Sequence, residues 1–507
     1  MRMWCSLMAA LLAAAPAVSA PTFNKDVAPI LWKQCASCHR SGEVGPFPLL
    51  TYKDVSKRAE FIVKLTQSRR MPPWPPELGF GSFHDERRLS KAELQTLADW
   101  AEAGAPQGNA ADLPPLPKFP EGWQLGEPDL VLKMPRAFTI PAGGRDVQQC
   151  FVLPMGLDVD KTVSAVDFRP GNRKVVHHAI FYLDHNGMAR LKEKSSKDVG
   201  FRTFGGPGFV PTGGLGAWAP GTTPRFIDEG MGKYLQKGSD LVMQVHYHPS
   251  GKEEIDQSMI GIYFSKKPVT KYLGGIALIN QNIYIKAGEK DYKLSAKTQP
   301  IPVDVQVVSV FPHMHLIGKE MKTYAVTPDG KEIPLIWIKD WDFNWQGSYY
   351  FKEPVKLPKG TVVKFEARYD NSADNPRNPS NPPQLAHWGE QTTDEMGICG
   401  LQVVTDTPAD MRAVMKMRNH MLALILGSAP PPDAESSKEN AAKLPVFPAE
   451  GIVIPQELKD RMPDFVKQYD KNGDGKLSKE EFDAMPELIR TLILRRLPEL
   501  EKPAPKK

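Results

Sequence analysis

Cysteine is scarce in this chain. There are five among 507 residues, and Cys5 lies within the first twenty. That excludes a disulfide-dense secreted scaffold. Beyond residue 20, no stretch is long and apolar enough to span a bilayer. Charge of one sign is also lacking: the formal net charge is +5, with the basic residues dispersed. That balance argues against a nucleic-acid partner. No self-similarity recurs at solenoid or propeller periods. A composition of 41% hydrophobic and 24% charged residues argues against wholesale disorder.

What is plentiful is proline, at 48 residues, which fits linkers and β-rich architecture. The chain is too long for one core, and about three to five domains are expected. Residues 1–20, "MRMWCSLMAALLAAAPAVSA", read as a secretory signal: Arg2, an apolar centre, then small residues. Cleavage falls after Ala20 or Ala17, and an uncleaved anchor is the alternative. The mature protein is expected to be periplasmic or secreted, with no membrane span.

Residues 21–107 read as a small helical domain. "SKAELQTLADWAEAG" opens with Ser90 and Glu93 as a capping box and repeats Leu94, Leu97, Ala98 and Ala101 at helical spacing. Gly104 closes that helix. A Pro-rich linker follows at 108–120. From 121 to 427 the pattern turns to short runs such as "TVSAVDF", "HHAIFYL", "LVMQVHY", "VQVVSVF", "KTYAVT" and "TVVKFEARY", separated by turn residues. That predicts β-sandwich architecture, with room for two sandwiches, at 121–280 and 281–427. A second linker covers 428–455, and 456–500 is again helical.

"CASCH" places Cys35, Cys38 and His39 in the C-x-x-C-H pattern. The thiols add across haem vinyl groups and His39 becomes an axial iron ligand. With a helix before it and a capped helix after, the segment resembles a small cytochrome c. Met71 in "RRMPPWPP" is the expected second axial ligand, and His84 competes with it.

Five of the 11 histidines fall in three strand-like runs: His177 and His178, His246, and His313 and His315. The i, i+2 spacing of His313 and His315 puts both rings on one face of a strand, which suits chelation. His177 and His178 are adjacent, so a regular strand would send them to opposite faces. Imidazoles without nearby cysteine ligands suit copper, zinc or iron, and a thioether partner would select Cu(I). His248 shares the face of His246 on a regular strand.

"VVHHAIFYL", "LVMQVHYHP", "FPHMHLIGK" and "HWGEQTTDEMGICGLQVV" follow one another in the order and approximate spacing of the type II copper monooxygenases. The chain resembles that family, which includes the peptidylglycine α-hydroxylating and dopamine β-monooxygenases, over roughly 125–405. The resemblance implies two sandwich (jelly-roll-like) domains, each holding one copper. His177, His178 and His246 would hold an electron-transfer copper, so their strand is expected to be kinked or bulged. His313, His315 and Met396 would hold the copper that binds O2 and hydroxylates a substrate C–H bond. The family places no ligand at His248, which is left as a supporting or surface residue. His387 is expected to wall the site, and His185 and His420 match nothing. Where the peptide-hydroxylating branch has an Arg that clamps a carboxylate, this chain has Phe311. Ile398 and Gly400 lack the polar groups that assist it, so a peptidyl-glycine substrate is not expected. Cys150 and Cys399 are the remaining cysteines and could pair in an oxidising compartment.

"DKNGDGKLSKEE" fits the twelve-residue EF-hand loop. Asp470, Asn472, Asp474, the Lys476 carbonyl, Ser478 and Glu481 take the Ca2+ ligand positions, and Gly475 makes the sharp turn. EF-hands usually pair, and no second loop is visible.

The sequence therefore predicts an exported copper monooxygenase with haem c, two coppers and Ca2+. Its partners would be O2, a small organic substrate and a donor, either ascorbate or a periplasmic redox protein acting through the haem. Two other readings compete. One is a copper and haem electron-transfer or copper-binding protein without hydroxylase activity. The other makes the copper region a binding module that localises a haem oxidoreductase.

Overall fold

The computed structural model describes residues 20–425 except 44, 120–121, 204–205, 221 and 390, then 448, 450–454, 466 and 469–485. The expected leader (save Ala20), most of the second linker and most of the helices expected to flank residues 470–481 lie outside the described residues. The described chain is mostly β-sheet with few helices.

Helices Ala28–Gln34, Tyr52–Ser56, Ala59–Gln67 and Lys91–Glu102 hold a core of their own around Phe23, Leu31, Leu97 and Trp100. The capping box forms as the sequence predicts. Ser90 N–H donates to Glu93 Oε2 at 2.7 Å, and Glu93 N–H donates to Ser90 Oγ at 3.1 Å. Gly104 follows with φ +83°, a left-handed turn that glycine takes without strain. After Met71 the chain leaves these helices and lies along another part of the molecule. Glu77 N–H donates to the Trp337 carbonyl and His84 N–H to the Tyr350 carbonyl. Phe83 is buried in the core beneath.

That core belongs to the second of two sandwiches. In the first, one sheet runs in spatial order Phe201–Arg202, Val147–Pro154, Asp240–Tyr247, Val176–Asp184, Gly213–Trp218. The facing sheet runs Leu130–Lys133, Met259–Phe264, Lys161–Arg169, Met231–Leu235, Lys271–Tyr272. Both contribute to one cluster that includes Phe151, Phe168, Phe181, Met243 and Ile260. Burying each such side chain contributes about 1.5–3 kcal/mol. The central strand Asp240–Tyr247 is buried along its whole length, so His246 sits in a fixed frame.

The second sandwich sets Gly274–Ile279, Ile398–Val404, Val305–His313, Tyr349–Leu357 against Tyr292–Lys297, Val362–Tyr369, Gly318–Val326, Glu332–Ile338. The six runs nominated above all fall on strands. Two details differ from expectation. Gly274–Ile279 pairs with Ile398–Val404, so the second sandwich begins before residue 281. Helix Pro408–Ile425 closes a region read as β throughout. It packs on Gly274, where a Cβ would lie 2.3 Å from Met411 Sδ, so a larger residue there would make the methionine side chains shift.

Candidate metal centres

The adjacent histidines are brought together by a break in pairing. Val176 lies opposite Tyr247, but His178 lies opposite His246, with the register shifting between them. His177 is the extra residue of a β-bulge, which breaks the side-chain alternation. The three rings form a tight triangle with centroids 5.3 Å (177–178), 5.1 Å (177–246) and 4.7 Å (178–246) apart. One nitrogen or other ligating atom from each lies within 4.8 Å of the rest. His177 Nδ1 and His178 Nδ1 are 3.2 Å apart. Two imidazole nitrogens sharing one ion at ~2.0 Å and a tetrahedral angle sit ~3.3 Å apart, so the spacing fits a metal.

His246 shows which nitrogen each role takes. Its Nε2 faces Asp146 Oδ2 at 3.0 Å. Its Nδ1 is buried and has no hydrogen-bond partner among the described residues. A neutral ring that donates from Nε2 keeps the Nδ1 lone pair for a metal. Asp146 also faces His248 Nδ1 at 2.7 Å, accepts from Thr392 N–H at 3.3 Å and bonds the Thr392 hydroxyl. Burial opposes its ionisation, but these bonds, His246 first, hold its carboxyl well below the usual carboxylate range. His248 is thus an exposed partner of Asp146 outside the triangle.

The second set is oriented the other way. His313 ends its strand and His315 follows, with ring centroids 5.2 Å apart. His313 Nδ1 faces Gln346 Oε1 at 2.5 Å, and His315 Nδ1 faces the Asp394 carbonyl at 3.0 Å. Both Nδ1 atoms therefore serve as donors, which leaves the Nε2 lone pairs to ligate. Met396 precedes strand Ile398–Val404, whose Ile398 lies directly opposite His313. Its carbonyl accepts from Tyr369 Oη at 2.8 Å, and its N–H donates to Glu395 Oε2 at 3.2 Å. Glu395 also accepts from the N–H groups of His315 and Ile317, fixing this turn against the histidines. Phe311 stacks on His313 with an interplanar angle of 11°.

Phe343 stands between the sets. Its ring stacks on His177 at 4.7 Å and meets His315 edge-on at 5.6 Å. Burial, the largest cause, lowers His177 to about 3 and His313 to about 4. It pushes His178 and His315 well below the ordinary imidazole value as well. All four rings are neutral near pH 7, the form that binds metals.

At the C-x-x-C-H segment, Cys35 ends a helix and both thiols are free. Burial, then Cys38, pushes the Cys35 thiol up to about 12. His39 Nδ1 lies 3.0 Å from the Phe47 carbonyl, which leaves Nε2 as the ligating atom. A Cβ on Gly45 would lie 2.8 Å from His39 Nδ1, so the loop wraps the ring closely. These features fit an axial histidine. Met71 turns back after its helix, its N–H donating to the Leu65 carbonyl.

In the loop at 470–481, Asp470 Oδ1 is buried without a hydrogen-bond partner among the described residues, which fits a cation ligand. Gly475 takes φ +79°. The loop strand Lys476–Leu477 pairs antiparallel with Ile452–Val453.

A Cys150–Cys399 disulfide does not form. Cys150 lies beside Thr203 Oγ1 in the first sandwich, whereas Cys399 accepts from Thr323 Oγ1 in the second. His387 sits on a two-residue strand opposite Tyr284, its carbonyl accepting from Glu395 N–H. His185 contacts Gln236 on the surface, and His420 lies on helix Pro408–Ile425. Asp146, Phe343, Gln346 and Glu395 were not nominated from sequence. Each acts through a partner far away in the chain, and only Glu395 stands within a quoted motif, directly before Met396.

No protein-family model matches the chain, and no curated protein does. Among solved structures, the infectious bursal disease virus VP2 subviral particle is 7% identical, covering 59% of this chain and 76% of that one at TM-score 0.18. The major capsid protein P2 of bacteriophage PM2 is 6% identical, covering 48% and 98% at TM-score 0.18. The PBSX exported protein XepA is 9% identical, covering 47% and 86% at TM-score 0.13. At these scores the likenesses carry no argument about fold or function.

Proposed function

We propose that the protein is an exported copper-dependent monooxygenase that hydroxylates a C–H bond of a small organic substrate. The observation that carries this reading is the convergence of two differently oriented histidine sets on the single ring of Phe343. His177, His178 and His246 would hold one copper through Nδ1. His313 and His315 would hold the other through Nε2, with Met396 as the thioether. Copper bound at the two sets would supply O2 activation and the second electron. The chain itself contributes ligand geometry, neutral imidazoles and a dry wall. Asp146 fixes His246 in one tautomer, Gln346 and the Asp394 carbonyl fix His313 and His315, and Phe311 with Phe343 screens them from water.

The helical segment fits a fused haem c domain of cytochrome c type, anchored at Cys35, Cys38 and His39, with Met71 as second ligand. It would deliver electrons from a periplasmic donor. The loop at 470–481 would hold Ca2+ in a structural role. The test joins copper analysis to haem reoxidation. Two coppers per chain, with haem reoxidation that needs substrate and fails in His177→Ala, support the reading. Zero copper, or equal reoxidation in that variant, sinks it.

A further inference from the structure

Where the helical domain meets both sandwiches there is a cavity of about 420 Å³, a volume typical of small-molecule sites. Each region supplies a wall. Ser37, inside the C-x-x-C-H motif, and Trp74 come from the helical part. Arg225 and Lys233 come from the first sandwich. Gln346 and Tyr350 come from the second.

Of the cations on this cavity, Arg225 and Lys233 are poorly matched by the protein. Arg225 Nη1 is buried with no hydrogen-bond partner among the described residues. Its Nη2 reaches Asp228 only at 3.4 Å, and its guanidinium lies 5.1 Å from the Tyr350 ring centroid. Lys233 Nζ donates to the Leu215 carbonyl at 2.5 Å and meets no carboxylate among the described residues. The acids on this cavity, Asp85 and Glu86, are exposed, and Glu86 pairs with Arg88 at 2.9 Å. A buried cation without a counter-charge is costly. Lys233, and Arg225 whose ion pair is the long contact to exposed Asp228, together call for an anion with an apolar body in this aromatic-walled cavity. None of the five clustered histidines lines the cavity, but it borders the second set through Gln346, which lines it while bonding His313.

We propose that this cavity binds the carboxylate of an aromatic or otherwise apolar small organic acid, with Arg225 and Lys233 as its anion-binding pair. Binding stands on the cavity alone. That the acid is the hydroxylated substrate rests on the function proposed above. The same carboxylate chemistry could come from a haem attached at Cys35 and Cys38, since Ser37 lies on the wall, so both sources must be tested.

The experiment titrates the full-length protein with benzoate, benzyl alcohol and benzylamine, following heat or the fluorescence of the cavity tryptophans. Benzoate is expected to bind at least tenfold tighter than benzyl alcohol, and benzylamine weakest. Arg225→Gln and Lys233→Met should each weaken benzoate at least tenfold and leave benzyl alcohol within twofold. Arg225→Lys, which keeps the charge, should retain most of the affinity. Equal affinity for the three probes, or no loss in Arg225→Gln, overturns the proposal. Benzoate binding to Cys35→Ser/Cys38→Ser protein but not to haem-loaded protein would assign the cations to haem carboxylates, which also overturns it. Copper content measured on the same samples keeps the two readings apart: benzoate binding with zero copper upholds the cavity and sinks the monooxygenase.

Discussion

The two histidine sets solve one problem by different means. At His177, His178 and His246, backbone irregularity does the gathering: a bulge turns adjacent residues to one side, and a carboxylate holds back Nε2. At His313 and His315 the spacing is ordinary, and a side-chain amide and a main-chain carbonyl hold back Nδ1. The first set is all imidazole. The second lies beside a methionine in the turn that leads into the strand opposite. The difference would suit the proposed division of labour, with one metal in a fixed nitrogen shell and the other given a soft ligand.

The comparison breaks most severely by deleting a ligand. His246→Ala is expected to lower copper affinity at the first set at least 100-fold, above the 10–100-fold typical of supporting groups, and to leave the second set loaded. His315→Ala should do the reverse. Copper titration of each variant reads this directly. If either substitution empties both sets, they are one site.

Asp146→Ala comes next. Removing the carboxylate that orients His246 should cost about 10–100-fold in copper affinity at the first set alone. It tests whether Asp146 acts through the imidazole, because Asp146→Asn, which can still accept from Nε2, should lose less. Equal losses in both variants would assign Asp146 to charge rather than orientation.

The pH dependence separates the metal-free protein from ordinary acid unfolding. Unfolded imidazoles protonate near 6.5, whereas His177 and His313 stay neutral in the fold down to about 3 and 4. Between those values the unfolded chain binds more protons, so stability falls as pH drops below about 6.5. Each such ring contributes up to about 1.4 kcal/mol per pH unit. His313→Gln should flatten the slope of unfolding free energy against pH, read from denaturant melts, by that amount at most. An unchanged slope would mean that the ring is protonated in the fold.

How much of this was legible in the sequence depends on how far each feature reaches. The strands, the capping box at Ser90 and the candidate ligands could be named because their signals are local. The bulge at His177 was expected only through the family resemblance, since alternation alone sends the two rings apart. Asp146 could not be found. It precedes a strand whose Gln148 pairs with His246, and only that register brings it to the ring. Phe343 and Gln346 sit in a loop whose position depends on the whole second sandwich. Helix Pro408–Ile425 was missed although Val414, Met417 and Met421 mark a buried face at helical spacing. The methionine-rich segment was absorbed into the β region before it.

The smallest effect expected is at the link between the sets. Thr392→Val removes one donor to Asp146 and should cost about 0.5–1.5 kcal/mol. That would appear as a modest loss of copper affinity at the first set, although Thr392 belongs to the second sandwich. No loss there would mean that the two sandwiches hold their metals independently.

The division of labour is tested most directly by X-ray absorption at the copper edge of the fully reduced protein. The account predicts two coppers per chain with one Cu–S bond between them. That bond should vanish in Met396→Leu and persist in His246→Ala. A spectrum without sulfur, or a sulfur bond indifferent to Met396, would contradict it.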